Sequence, residues 1–258
     1  MAITVEAIYR YPVKGLSAEP LGRVALATGD CLPHDRRFAI ALPTTEFDPD
    51  NPQWLSKTHF LMLMRDEELA ELHTRFDDDT GFLTVEREGE IVLRAKLTEE
   101  AGRWEAAAFF DEFFSGVAEE SVRIVESPGH TFADARRKPN ATTDKYVSLI
   151  NAASIAALEE AVGAPVDPIR FRANVYFRGV AAWQELEWLG REIAVGGARL
   201  RIIASITRCA ATEVNPETAE RDMDVVGTLQ RSFGHNLMGI YAEVVGPGEI
   251  AVGDMLVT

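Results

Sequence analysis

Cys209 is the residue with the clearest chemical potential. It sits in Ile206-Thr207-Arg208-Cys209-Ala210-Ala211-Thr212, where a strongly apolar strand ends, directly after a cation. A cysteine at a strand end stands at a barrel rim, and an adjacent arginine favours the thiolate, the form that binds metals and attacks electrophiles. Free cysteine also packs as a small apolar residue, so both readings of Cys209 stand on the residues alone. The second cysteine, Cys31, is far away, and neither belongs to a C-x-x-C pair. That spacing argues against a disulfide framework or a cysteine-built zinc site and makes a reducing compartment the expectation.

Cations fall in short separate motifs at expected strand ends. Lys14 lies in Tyr11-Pro12-Val13-Lys14-Gly15, Arg36 in Asp35-Arg36-Arg37-Phe38, and Arg172 in Arg170-Phe171-Arg172-Ala173-Asn174-Val175. Arginine suits phosphate because its planar fork makes two parallel hydrogen bonds. Converged, these residues would hold an anion; taken singly, each is expected to pair with a surface carboxylate. His34, His59, His73, His130 and His235 are scattered and read as surface or structural residues. No dinucleotide or P-loop glycine pattern, H-E-x-x-H or G-x-S-x-G elbow occurs.

The elements that must position these groups are those of an ordinary globular chain. It has 258 residues, 47% apolar and 26% charged, enough for one large or two modest domains. A net charge of −15 argues against nucleic acid and anionic membrane surfaces as partners. No stretch approaches the roughly 20 apolar residues of a membrane-spanning helix. The first residues read as a strand, so a cleaved signal peptide is not expected.

Apolar alternation predicts strands over Ile3–Arg10, Gly22–Thr28, Arg37–Leu42, Phe82–Arg87, Ile91–Ala95 and Val175–Phe177. Hairpins are expected around Gly196-Gly197, joining Ile193–Val195 to Leu200–Thr207, and around Gly246-Pro247-Gly248, joining Ile240–Val245 to Ile250–Val252. Helical spacing predicts Glu67–Phe76, Glu105–Phe114 and Asn151–Val162, the second with Phe109, Phe110, Phe113 and Phe114 as core packing. Residues 43–53, 127–129 and 136–143 read as loops. Many short strands with glycine turns predict a mainly β fold with flanking helices, an α+β chain of two barrel-like parts. The boundary is placed near 118–125, giving domains 1–120 and 121–258.

The order of motifs resembles the MOSC family, named for the C-terminal domain of molybdenum cofactor sulfurases. YPVKGL (11–16) and DRRFAI (35–40) are similar to the N-terminal β-barrel domain that precedes MOSC in many members. Residues 149–175, 183–218 and 238–254 are similar to the start, centre and end of MOSC itself. The pieces run R-F-R-x-N, E-x-x-W, a Gly-Gly hairpin, T-R-C and G-x-I-x-V-G-D. Each is weak alone, and their shared order is specific. Residues 43–120 match least clearly.

The resemblance implies a molybdenum-molybdopterin cofactor with Cys209 as the metal ligand and catalytic residue. It implies that Lys14 and Arg36 help bind the cofactor, with Arg172 and Asn174 from R-F-R-x-N, and Asn151 and Ser154 from the turn opening the helix before it. The amidoxime-reducing branch further implies an oxidoreductase that reduces N-hydroxylated small molecules by oxygen-atom transfer, and the reducing compartment expected from the cysteines makes a cytoplasmic location the expectation. No iron–sulfur cysteine cluster or flavin motif is present, so electrons are expected from a separate ferredoxin-, flavin- or cytochrome-type partner. One alternative is a module that carries the cofactor, or sulfur on Cys209, without redox turnover. Another is a degenerate barrel with no cofactor. Two departures stand out. Gly15 replaces a small hydroxyl residue after the lysine, and Asn215–Ala219 lacks the usual acidic start and terminal glycine.

Overall fold

The computed structural model describes residues 2–114, 121–134 and 145–258. The expected loop 136–143 and residues 118–120 of the expected boundary lie outside the described residues. The strands are β1 (Ile3–Arg10), β2 (Glu19–Leu21), β3 (Arg23–Leu26), β4 (Phe38–Ala41), β5 (His73–Phe76), β6 (Phe82–Arg87) and β7 (Glu90–Lys96). Helix α1 (Glu100–Phe113) leads to β8 (Arg123–Glu126) and β9 (Val147–Asn151), and α2 (Ala152–Val162) to β10 (Val175–Arg178), β11 (Glu192–Val195) and β12 (Ala198–Thr207). After α3 (Val225–Phe233) come β13 (Leu237–Gly246), β14 (Gly248–Ala251) and β15 (Met255–Val257).

Seven strands close a barrel in the order β10-β9-β13-β12-β11-β15-β1, because β1 pairs β10 as well as β15. Closure leaves no free edge within the ring. The chain is mainly β with three α-helices among the described residues. Alternation drives the packing: β12 buries Ala198, Leu200, Ile202, Ala204 and Ile206 and turns the residues between them outward. Ala198, Leu200 and Ile202 meet Val5 and Ile8 of β1, Phe177, Ile240 and Leu256 in one core. Strand β1, from the start of the chain, thus completes a ring of strands that otherwise lie after residue 146. β9 and β10 are parallel, joined through α2. α2 and α3 bury Leu158, Val225 and Leu229 on Tyr176 and Met238.

A second core joins β4, the β5-β6-β7 sheet and α1 through Phe38, Phe76, Val85, Ala106 and Phe110. Phe109, Phe113 and Phe114 pack against it, as helical spacing predicts. No helix among the described residues is long and apolar enough to cross a membrane.

Two expectations are corrected. Glu67–Phe76 is not one helix: a 3-10 turn covers Glu67–Glu71, and the chain then enters β5. Leu69 and Leu72 are buried at three-residue spacing, but Thr74 and Phe76 alternate inward because His73–Phe76 pairs with β6. Ile240–Val245 and Ile250–Val252 do not form a hairpin. Both edges of β13 are taken by β12 and β9, so β14 pairs with β3 instead. The Gly196-Gly197 hairpin forms as expected, with Val195 opposite Ala198.

Candidate functional site

Strand ends from both halves of the chain open onto a cavity of about 410 Å³. That volume falls in the small-molecule range of roughly 300–1,000 Å³. Its wall includes Cys209, Arg36, Arg172 and Asn174, together with Lys57, Arg170, Arg208, Asp35 and Asp134. Five cations therefore face two carboxylates, against the acidic balance of the whole chain.

Cys209 lies two residues beyond the end of β12, in extended conformation, and opens a 3-10 turn over Ala210–Glu213. Its carbonyl accepts from the Thr212 N–H at 3.0 Å and from the Thr212 hydroxyl at 2.9 Å, which fixes the turn. Its Sγ, half-buried on the cavity wall, accepts from Lys57 Nζ at 3.0 Å. Among the described residues Arg208 does not pair with a carboxylate. Its guanidinium donates to the Met238 carbonyl at 2.9 and 2.6 Å and to the Phe171 carbonyl at 2.8 Å, and stacks on the Phe171 ring. Those bonds engage each of its three nitrogens without neutralising its charge. Burial pushes its pKa below the ordinary arginine value. Gly239 on β13 makes this approach possible: its φ is +78°, and a Cβ there would lie 2.5 Å from the Leu149 carbonyl.

Arg170 and Arg172 emerge from a 3-10 turn, Pro168–Phe171, capped by the Asp167 side chain. Arg170 donates to both oxygens of Asp222 at 2.7 and 2.8 Å and to the Glu213 carbonyl, but its buried Nε has no partner among the described residues. Arg172, at the end of that turn, adopts φ 50°, in the left-handed region. Its guanidinium carbon lies 4.4 Å from the Tyr11 ring centre, and the side chain makes no hydrogen bond or ion pair among the described residues. Burial pushes its pKa down.

Arg36, also left-handed at φ 51°, donates to Asp35 and, at 3.0 Å, to the Arg172 carbonyl, with its guanidinium carbon 4.7 Å from Tyr11. Asp35 in turn accepts from the Tyr11 N–H at 2.8 Å. Fully buried Tyr11 is thus the floor on which two guanidinia stand. Cation–ring contacts of this kind hold a charge without cancelling it.

Lys14 is buried just behind the wall. It donates to the Phe132 carbonyl at 3.0 Å and to Asp134, which lines the cavity. Burial pulls its pKa down, and Asp134 opposes that pull. Burial would raise the Asp134 pKa, but Lys14, then Arg36 and Arg172, hold it well below the usual carboxylate range. Gly15 next to Lys14 has φ +88°, and a Cβ would meet the Leu61 carbonyl at 3.2 Å. The turn itself thus favours glycine where a hydroxyl residue is usual.

Asn174 lines the cavity but is engaged at both ends. Its Oδ1 accepts from Ser148 N and Oγ, and its Nδ2 donates to the Tyr9 carbonyl. Asn151 and Ser154 are not brought to the cavity. Asn151 caps α2 and donates to Glu185, and the Ser154 hydroxyl donates to the other Glu185 oxygen at 2.7 Å. Both are spent on that fully buried carboxylate. Lys57 and Asp134 carry no sequence signal of their own: the Lys57 contact spans 152 residues of chain.

This donor set fits an anionic group bearing a soft metal. A thiol stands on the wall and, among the described residues, Arg172 makes no ion pair and the buried Arg170 Nε has no hydrogen-bond partner.

Comparison with known proteins gives the same frame. Molybdenum cofactor sulfurase of Bos taurus is 29% identical over 93 residues, 34% of this chain and 10% of the relative. The Caenorhabditis briggsae sulfurase is 23% identical over 255 residues, 92% of this chain and 33% of the relative. Mitochondrial amidoxime reducing component 2 of Bos taurus is 26% identical over 172 residues, 58% of this chain and 50% of the relative. The chain thus spans a third or less of these two sulfurases and half of the reducing component. The profile of the MOSC N-terminal beta barrel domain matches residues 2–126, and that of the MOSC domain matches residues 129–257. Together the two profiles account for nearly every residue, and the chain belongs to the MOSC family.

Proposed function

We propose that this protein binds the molybdenum cofactor in the Cys209 cavity and uses it to reduce N-hydroxylated compounds. The observation that carries the reading is the presence, on one cavity wall, of a half-buried cysteine sulfur and the Arg172 guanidinium, which makes no hydrogen bond or ion pair among the described residues. Cys209 Sγ would ligate the metal. Arg36 and Arg172, stacked on Tyr11, would grip the terminal phosphate through charge-assisted hydrogen bonds. Lys14 would support them through Asp134, and Asn174 would hold the strand ends together rather than touch the cofactor. When bound, the cofactor supplies two-electron oxygen-atom transfer.

The chain's own part is to orient and to confine. Arg208 braces the Phe171 and Met238 carbonyls beside the cysteine, so the sulfur sits on a fixed turn. Electrons would come from a separate ferredoxin-, flavin- or cytochrome-type protein, in a cytoplasmic setting. The similarity of the amidoxime reducing component supports the substrate class. Protein made in a host competent for molybdopterin synthesis, with its metal content verified, is expected to reduce an amidoxime or hydroxylamine with an artificial donor. No turnover in that sample contradicts the reductase reading. A sulfur adduct on Cys209 in the intact mass would instead point to a carrier.

A further inference from the structure

We propose that Lys57 is a positioning residue that acts on the metal through the Cys209 sulfur, and that it helps to set the reduction potential of the site. The inference rests on the reading of Cys209 as the metal ligand. It goes beyond that reading by assigning a role to a residue that neither the sequence motifs nor the cavity's phosphate-gripping arginines include.

Three observations carry it. First, Lys57 Nζ lies 3.0 Å from Cys209 Sγ, a short contact for a nitrogen donor on sulfur. Second, that sulfur is the ammonium's one polar partner among the described residues; no carboxylate meets it. A lysine whose task was surface charge would be expected to pair with one of the chain's 41 carboxylates. Third, the contact comes from an anchored element. Lys57 opens the 3-10 turn Lys57–His59, and the chain that follows it is tied to β4 and its exit. Leu61 N–H donates to the Ile40 carbonyl and Leu42 N–H to the His59 carbonyl, both at 2.9 Å, and Phe60 is buried against Phe132. From the other side, Arg221 donates to the Leu63 and Met64 carbonyls and to Glu67, and also to the Ala210 carbonyl beside the cysteine. The turns bearing Lys57 and Cys209 are therefore clamped together, and the lysine is held over the sulfur.

The physical consequence follows from charge. A hydrogen bond from an ammonium draws electron density from a sulfur ligand and weakens its donation to the metal. The less positive, reduced metal is thereby favoured and the potential rises. Electrons would enter the site more readily with Lys57 in place than without it.

The test uses full-length protein isolated with its cofactor, with metal and pterin content measured in each sample. Lys57→Met removes the donor and keeps the stem, while Lys57→Arg keeps a cation in reach of the sulfur. The midpoint potential of the bound molybdenum, followed by EPR during a redox titration, is expected to fall in K57M and to stay near wild type in K57R. Loss of metal from a folded K57M, with metal retained in K57R, also supports the contact. K57M titrating with wild type, or K57R shifting as far as K57M, overturns it. Wild-type protein that binds no metal overturns both this inference and the Cys209 reading. An unchanged potential in a metal-loaded K57M overturns the Lys57 role alone.

Discussion

Arg36 Nη2 donates to the backbone carbonyl of Arg172 at 3.0 Å, across 136 residues of chain. One cation thus fixes the turn that presents the other. Among the described residues the Arg172 side chain makes a ring contact and no hydrogen bond or ion pair, and it lines the cavity. The predictions below follow from that arrangement and from the cysteine facing it.

Arg172→Met separates binding from stability. A buried cation without a partner adds little to folding, because its desolvation offsets what its ring contact contributes. Thermal unfolding of the cofactor-free variant is expected to stay within about 1 kcal/mol of wild type. Cofactor retention is expected to fall at least about tenfold, the loss of one or two charged hydrogen bonds. Comparing calorimetry with bound pterin per chain checks both halves.

The two cysteines should differ in reactivity. Burial pushes the Cys31 thiol up to about 12, and its side chain is packed against Thr131. Cys209 stands on the cavity wall. Native cofactor-free protein at neutral pH is expected to take iodoacetamide on Cys209 and not on Cys31. Peptide mass mapping reads the result, and equal labelling of the two contradicts it.

Acid sensitivity should trace in part to His130. Burial, then the Lys145 charge, lowers its pKa to about 4, its Nδ1 has no partner among the described residues, and its ring packs on Phe47 and Phe132. The unfolded chain takes up this proton from about pH 6.5 and the folded chain only near 4. The contribution of neutral His130 is therefore fully present above 6.5 and lost as pH falls toward 4, by up to about 3 kcal/mol. His130→Phe keeps the ring contacts and removes the titration. Its stability should fall less steeply than wild type across that window in urea unfolding at several pH values.

The parts of this site visible in the sequence are those carried by strand ends. Period-two alternation marks β1 and β12, so Cys209 at the end of one and Lys14 just beyond the other could be placed at a rim before any geometry. Arg36 and Arg172 sit in short basic motifs beside such strands, and the cavity gathers them. What stayed hidden depends on pairing between distant segments. Lys57 lies in the stretch where the family resemblance is weakest, and only the closed fold brings it to the sulfur. Asn151 and Ser154 opened an amphipathic helix as expected, yet they serve Glu185, whose burial no local pattern announces. β14 looked like the second arm of a hairpin because its glycine turn is local, whereas the occupied edges of β13 are not.

Whether Cys209 holds the metal is decided by molybdenum content. Wild-type protein and Cys209→Ser would be produced side by side in a host that makes molybdopterin, then analysed for metal by mass spectrometry and for fold by thermal unfolding. Near-stoichiometric molybdenum in wild type, and its loss from an equally folded C209S, is the result this account predicts. Equal metal in both proteins, or none in wild type, would contradict it.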